Sequence, residues 1–192
     1  MAKTKITPKM LKQTKLIQKE VQRVTEQNYK AIAKVFVDFG NDTEKQFAKI
    51  TMQDLKWDVL KSRLDIVLST NSKRSTKSFV NFLNKLFDFK LKTDRIEKVE
   101  NETVNQYAKG LAKKVTYVTE TTKNQIALLI DNNKGLNTND LAKLINEKFV
   151  EISKGRARTI ARTESANLFN NANLNTAKEV GMKYKTWIHG VN

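Results

Sequence analysis

Proline occurs only once in this chain, at Pro8, and glycine occurs six times in 192 residues. Because these two residues interrupt regular structure most strongly, their scarcity favours long helices with short connections. Apolar side chains also recur at helical spacing from Leu16 to Ile152. We therefore predict a mainly α-helical protein, built as an elongated multi-helix bundle. The alternating stretch from Met182 to Ile188 predicts one short C-terminal β-strand in addition.

Local signals predict where the individual helices begin and end. Gly40 is predicted to close the first helical stretch, and Thr43 with Gln46 has the spacing of a capping box that opens the next. The polar run 69–78 (STNSKRSTKS) interrupts the apolar periodicity and is predicted to be a loop. Asn137 is predicted to cap a later helix. Further breaks are predicted at the β-prone run 115–119, at Gly135, at Ser153 and Gly155, and at Gly181.

Positive charge is spread over the whole chain, which has 36 Lys and Arg against 20 Asp and Glu and a net charge of +16. A field of this sign favours polyanions, with nucleic acid first, acidic protein surfaces second and anionic membranes third. A lysine-rich surface that only keeps the protein in solution is an equally common explanation. The candidate contacts to phosphates or to a partner protein are Lys3, Lys5, Lys9, Lys12, Lys15, Lys73, Arg74, Arg156, Arg158 and Arg162.

The residue types that most catalytic and metal sites need are scarce. The chain has no cysteine, which excludes disulfides, thiolate nucleophiles and Cys-based metal sites and suits a reducing cytoplasm. It has one histidine, His189, and its acids show no metal-ligand spacing. The longest purely apolar run, 126–130, is much too short to cross a bilayer. We expect no catalytic site, metal, cofactor, small-molecule substrate or membrane span.

The stretch 151–188 departs from the ordinary core and surface patterning of the rest of the chain. On a helical wheel of about 100° per residue, Glu164 falls on an apolar stripe. The other members of this stripe are Ala157, Ala161, Leu168 and Ala172. A carboxylate in an apolar face is costly unless it is paired, so Glu164 is expected to have a cationic partner or several hydrogen-bond donors. The residues that project from the opposite side are Arg158, Arg162, Ser165 and Phe169.

Asparagines continue this stripe, although asparagine is a mediocre helix former. We interpret them as part of a structural polar network that fixes how the helix docks. Its predicted members are Thr163, Glu164, Asn167, Asn171 and Asn175. Arg156 and Thr163 flank Glu164 most closely. A surface helix with solvated asparagines, whose glutamate pairs with a neighbouring cation, is the alternative.

A specific set of residues recurs along the same stretch. It consists of RA at 156–157, IARTE at 160–164, NA at 171–172, Gly181, Lys185 and Trp187. This set resembles the signature of the phage head morphogenesis family, the Mu F-like minor head proteins of tailed bacteriophages, over roughly the last third of the chain. Family members usually continue past the tryptophan into a segment with an Asp, an Arg and a His, which this sequence lacks.

The resemblance implies a structural protein that associates with the portal or the major capsid protein during head assembly in the cytoplasm of a bacterial host. It implies several copies in the virion, in the capsid interior or at the portal vertex, with nonspecific contacts to the double-stranded phage DNA. With it, the chain divides into a flexible basic arm (1–9), an N-terminal helical region (10–118) and a head-morphogenesis-like C-terminal region (119–192). A stand-alone nucleic-acid-binding protein and, less favoured, a nuclease or toxin-like fragment are the alternatives.

Overall fold

The computed structural model describes residues 7–47 and 55–182. In these residues the chain forms four α-helices, Pro8–Phe47 (α1), Trp57–Phe87 (α2), Thr93–Asp131 (α3) and Thr138–Glu179 (α4). The prediction of a mainly α-helical protein is confirmed, and the described part of the chain contains no strand. The predicted strand at 182–188 lies, except for its first residue, outside the described residues.

The helices form an up-and-down antiparallel bundle. Hydrogen bonds between helices join early residues of one to late residues of its neighbour, as in the pairs Arg23–Ser78, Asn28–Ser165, Asp42–Arg63, Thr103–Asn175 and Lys114–Glu164. The shortest helix has 31 residues and the longest 42. At a rise of about 1.5 Å per residue they are roughly 45–65 Å long, which makes the bundle elongated.

The predicted end of the first helix at Gly40 is wrong, because α1 continues to Phe47. Gly40 instead lies where α1 and α4 approach closely: a Cβ atom at this position would be 2.7 Å from Phe149 Cβ and 2.8 Å from Asn146 Oδ1. Thr43 opens no new helix, since its hydroxyl donates to the Phe39 carbonyl at 2.8 Å within α1. Tertiary packing, rather than backbone freedom, explains this glycine.

The predicted loop at 69–78 is also wrong, because these residues form the middle of α2. Four of its polar residues are buried, namely Asn71, Ser72, Ser75 and Thr76. Short hydroxyl side chains are compatible with a helix interior when they bond to their own backbone, as Ser72 Oγ does to the Ser69 carbonyl at 2.7 Å. The run therefore lacks apolar periodicity because it faces a polar part of the bundle interior.

Two further predicted breaks are absent for the same reason. In the run 115–119, Thr119 Oγ1 donates to the Val115 carbonyl at 2.9 Å, and α3 continues without interruption. Ser153 is buried and donates to the Val150 carbonyl at 2.7 Å, while Gly155 lies on the exposed side of α4. Because α3 is continuous, the predicted boundary between residues 118 and 119 falls inside a helix.

Two predicted helix boundaries are confirmed. Asn137 caps α4, since its Oδ1 accepts a hydrogen bond from the Asp140 N–H at 3.0 Å. Gly181 follows α4 with a φ of 76°, a left-handed conformation that glycine adopts without strain. Gly135 has no such role: α3 already ends at Asp131, and the described glycine with positive φ is Gly181.

Aromatic side chains fill the end of the bundle where α1, α2 and α4 meet. The Phe39 ring lies 5.7 Å from the Trp57 ring and 5.3 Å from the Phe149 ring, measured between centroids. Trp57 is thus a packing residue, as its position in the apolar periodicity predicts. Further along, α4 presents buried small residues to the bundle, namely Ala157, Ala161 and Ala172. Small side chains allow helix axes to approach, and α4 packs most extensively on α1.

Gly40→Ala tests the close approach of α1 and α4. An alanine in a helix interior is favoured over glycine by about 1 kcal/mol. At position 40 the steric conflict with Phe149 outweighs this gain, so we expect the free energy of unfolding to fall by about 1–2 kcal/mol. Gly155→Ala is the control, because a Cβ there meets no neighbouring atom, and it should raise the free energy of unfolding by up to about 1 kcal/mol. Urea unfolding followed by circular dichroism measures both; equal stabilisation by the two changes would contradict the close contact.

Candidate functional site

Glu164 lies inside the bundle, where its side chain is 11% exposed. Its Oε2 accepts a hydrogen bond from Lys114 Nζ of α3 at 2.7 Å. The expected cationic partner therefore comes from another helix. Neither of the flanking residues in α4 supplies it: Thr163 is exposed, and the Arg156 guanidinium approaches Thr122 on α3 instead.

Tyr107 covers this ion pair. The Lys114 ammonium lies 4.5 Å from the centroid of the Tyr107 ring, in a cation–π contact. The Tyr107 hydroxyl is buried, with no hydrogen-bond partner among the described residues. Burial, and then the negative charge of Glu164, raise the pKa of the Tyr107 phenol far above its usual range. The phenol is therefore neutral, and its aromatic ring borders the ion pair on one side.

Asn28 links three helices on the other side of Glu164. Its Nδ2 lies 3.1 Å from Ser75 Oγ of α2 and 3.0 Å from Ser165 Oγ of α4. All three side chains are buried. Ser165 was predicted to project with Arg158, away from Glu164; it lies about 100° around the helix from Glu164 and is buried there, within the buried sector of α4.

These residues form one polar layer across all four helices, consisting of Asn28, Ser75, Tyr107, Lys114, Glu164 and Ser165. Asn71 and Ser72 border the same layer, next to Leu68 and Leu168. The gap between these side chains is too small for a water molecule. A buried polar cluster favours one arrangement of the helices, because the contacts of Asn28 with Ser75 and Ser165 and of Lys114 with Glu164 form only in that register.

The predicted asparagine column is only partly inside the bundle. Asn175 is buried, and its Nδ2 donates to Thr103 Oγ1 at 3.0 Å and to Gln106 Oε1 at 3.2 Å. Asn171 is half-buried. Asn167 and Thr163 are exposed and do not belong to the network.

Helix geometry explains the difference. With Glu164 as the origin, the buried residues of this part of α4 fall between 0° and about 120°, at about 100° per residue. Asn167 falls at about −60° and therefore turns outward, whereas Asn175 falls at about +20°. Glu164 lies at one edge of the buried sector, which the wheel alone could not show.

Arg158 and Arg162 lie together on the exposed side of α4. The Arg158 guanidinium carbon is 4.5 Å from the ring centroid of Tyr29 on α1. Both arginines border an open groove of about 600 Å³ between α1 and α4, whose apolar lining includes Val21 and Phe169. The structure thus brings two of the predicted binding residues together.

Arg156 is separated from them. It is half-buried, and its Nη1 lies 3.4 Å from Thr122 Oγ1 and 3.5 Å from Gln125 Oε1, both on α3. Burial lowers the pKa of Arg156. Its position makes it an interhelical contact rather than a surface group that could reach DNA easily.

The first part of α1 carries an exposed row of lysines. Lys9, Lys12, Lys15 and Lys19 fall within a sector of about 120° on the helix, and the sequence contains no acid before Glu20. We call these four residues the lysine row. Within the described part of the chain, none of them forms an ion pair. Lys19 was not among the predicted contacts, although it continues their spacing.

The remaining predicted cations do not extend this row. Lys73 and Arg74 are exposed on α2, and Arg74 donates to Asn71 Oδ1 at 2.9 Å. Lys3 and Lys5 lie outside the described residues.

Metal-ligand clusters and membrane-spanning helices were both sought in the described segments. In these segments, acidic side chains form no group of three that could hold a metal ion. None of their helices contains a stretch long and apolar enough to cross a membrane. Comparisons of the chain with models of known protein families, with curated proteins and with solved structures found no match.

Sequence reasoning missed Asn28, Ser75, Tyr107 and Lys114, although two of them had a detectable signal. Asn28 stands between Val24 and Ile32 at spacings of four, so it is a polar residue in a buried register. Lys114 follows Tyr107 by seven residues, on the same face of its helix. The signal shows which positions face inward but not which residues of other helices they meet.

Lys114→Met, Glu164→Leu and the double variant test the buried ion pair. Lys114→Met leaves a buried carboxylate without its cation, so we expect a loss of about 2–3 kcal/mol in the free energy of unfolding. Glu164→Leu should cost less, because the Lys114 side chain is 35% exposed and can turn to solvent. The double variant should recover most of the loss. Urea unfolding measures all three, and affinity for duplex DNA should stay unchanged.

The surface pair Lys34–Asp38 provides the control, since its side chains are 73% and 43% exposed. Lys34→Met should change the free energy of unfolding by no more than about 0.5 kcal/mol. If Lys114→Met has an equally small effect, Glu164 does not depend on this cation and the polar layer loses its central contact.

Proposed function

We propose that this chain is a structural minor head protein of a tailed bacteriophage, which associates with the portal or the major capsid protein during head assembly. The observation that carries the proposal is the pattern of residues at 156–164 and 171–187 that resembles the head morphogenesis family. The proposed location is the capsid interior or the portal vertex of the virion. Assembly there requires a protein that keeps one shape while it contacts several partners.

The inward and outward sides of α4 carry different residue types, and this difference supports the proposed function. Ala157, Ala161 and Glu164 of the pattern face the bundle interior, whereas Arg158 and Arg162 face outward. The inward residues thus hold the helix in register, while Arg162 of the pattern and the neighbouring Arg158 are exposed for contacts. The single acid in the polar layer is paired with Lys114, and the gap beside Glu164 inside the bundle is too small for a water molecule, which favours a structural role over a catalytic one.

We propose that the lysine row is the principal DNA contact. Its four ammonium groups are exposed on one face of α1, over about 15 Å of helix, and have no acidic partner among the described residues. Free, exposed cations exchange their counterions for phosphates, and this exchange makes binding nonspecific and dependent on salt. Such contacts suit DNA that is packaged without regard to sequence.

Replacement of all four lysines of the row by glutamine tests this contact. If each lysine neutralises one phosphate, the slope of log K against log salt concentration should become shallower by about 3–4. Fluorescence anisotropy with a labelled duplex at several salt concentrations measures the slope. The matched control replaces four lysines that already form ion pairs, Lys34, Lys98, Lys134 and Lys148, by glutamine. This control variant loses the same net charge but should change the salt slope much less. If both variants change the slope equally, DNA binding depends on the overall positive charge of the protein and not on the lysine row.

The association with a portal is tested by the gene neighbourhood and by co-expression. We expect a portal gene beside the gene of this chain, and we expect the two co-expressed proteins to elute as one complex from a sizing column. The polar-layer variants should weaken this complex in proportion to their loss of stability. Salt-dependent duplex binding without any complex would instead favour a stand-alone nucleic-acid-binding protein.

A further inference from the structure

The groove between α1 and α4 has a composition that DNA binding does not explain. Its lining on α1 runs from Ile17 to Tyr29, and its apolar surface includes Val21 and Phe169. Phe169 is fixed from behind, because its ring packs edge-to-face on Phe79 of α2 at 5.4 Å. An apolar surface held in this way is typical of a groove that receives side chains rather than phosphates.

Two cations border this apolar surface on one side. Arg158 and Arg162 are one helical turn apart on α4, and neither forms an ion pair with a described residue. Stacking on Tyr29 fixes the plane of the Arg158 guanidinium while leaving its N–H edge available. Glu26 is the one acid among the described lining residues, so the groove is net positive.

We propose that this groove binds an amphipathic helix of a partner protein, with an apolar stripe on the groove floor and two carboxylates one turn apart on Arg158 and Arg162. The α1 side of the groove is about 18 Å long, which matches three turns of a helix. Apolar side chains at spacings of three and four fit such a floor, and a guanidinium accepts a carboxylate through two parallel hydrogen bonds. The inference rests on the proposed function, since it gives the head-protein partner a binding mode.

Charge complementarity selects this occupant. A DNA phosphate reaching the arginines gains nothing from the apolar floor, and would leave Val21 and Phe169 facing water. A second copy of this chain brings a net charge of +16 toward a positive groove, which opposes association. An acidic amphipathic helix would cover the apolar floor with its apolar stripe and pair its carboxylates with the two arginines.

The experiment uses the full chain and three synthetic helices of about 14 residues, stapled because short peptides are rarely helical alone. The probes share a leucine stripe and a fluorescein label, and carry at two positions one turn apart either Glu, Gln or Lys. Fluorescence anisotropy gives each Kd. We expect the Glu probe to bind at least about tenfold more tightly than the Gln probe, and the Lys probe to bind least.

Charge exchange makes the test specific. Arg158→Glu with Arg162→Glu should invert the order, so that the Lys probe binds best. Lys109→Glu with Lys113→Glu is the matched control: these exposed lysines have the same spacing on α3, outside the groove lining, and should leave the order unchanged. Ala166→Trp places a bulky ring in the groove from an exposed position and should abolish binding of the Glu probe, with an unchanged melting temperature.

Three results would overturn the proposal. Equal affinities for all probes, unaffected by Ala166→Trp, would show that the groove binds no helix. Displacement of the Glu probe by duplex DNA, with a shallower salt slope in the arginine variant, would make Arg158 and Arg162 phosphate contacts. If dodecanoate displaces the Glu probe, and its binding also requires both Arg158 and Arg162, the groove is a site for a small anionic amphiphile.

The lysine row separates this inference from the proposed function. Suppose that the lysine variant keeps the DNA salt slope of the unchanged protein, while the arginine variant inverts the order of probe affinities as expected. The lysine row is then not the DNA contact, and the groove assignment stands. If the slope changes as expected and the probes do not bind, the groove assignment fails alone.

Discussion

The register of the four helices depends on a buried polar layer whose contacts, Asn28 with Ser75 and Ser165 and Lys114 with Glu164, form in only one arrangement. Moving α3 along α4 by one turn would place Leu111 or Val118 opposite Glu164 and leave a buried carboxylate without its cation. Apolar packing alone is more permissive, because leucine, valine and alanine tolerate several registers. The polar layer therefore contributes specificity rather than stability, and the close contact at Gly40 adds a steric constraint on α1.

Because this layer holds α4 in place, the opposite side of the same helix is available for binding. Arg158 and Arg162 are presented beside an apolar groove whose floor is supported by Phe79. The lysine row lies on α1, outside the described lining of that groove. One bundle thus offers two chemically different surfaces, and we propose the first for a polyanion and the second for an acidic helix. The proposed contacts with DNA and with a structural partner would each use one of these surfaces.

The element boundaries show where sequence reasoning reaches its limit. Breaks were predicted at Gly40, at 69–78 and at Gly155 because glycine and polar runs usually interrupt helices. In the structure, Gly40 lies at a close helix contact, residues 69–78 form interior hydrogen bonds, and Gly155 lies on an exposed helical face. The roles of Gly40 and of residues 69–78 depend on neighbouring helices. Gly155 stays helical because packing stabilises the long helix around it. By contrast, the Asn137 cap and the Gly181 ending depend on local backbone geometry, and both were predicted correctly.

The sequence by itself determined the helical class, the positive charge, the inward position of Glu164 and its need for a cationic partner or several hydrogen-bond donors. These properties follow from composition and from helical periodicity, which are local to the chain. Only the tertiary structure decided that the partner is Lys114, that Ser165 is buried with Asn28, that Asn167 is outside, and that two arginines meet an apolar groove. Each of these depends on how helices far apart in sequence rotate and slide against one another, and a single helical wheel does not contain that information.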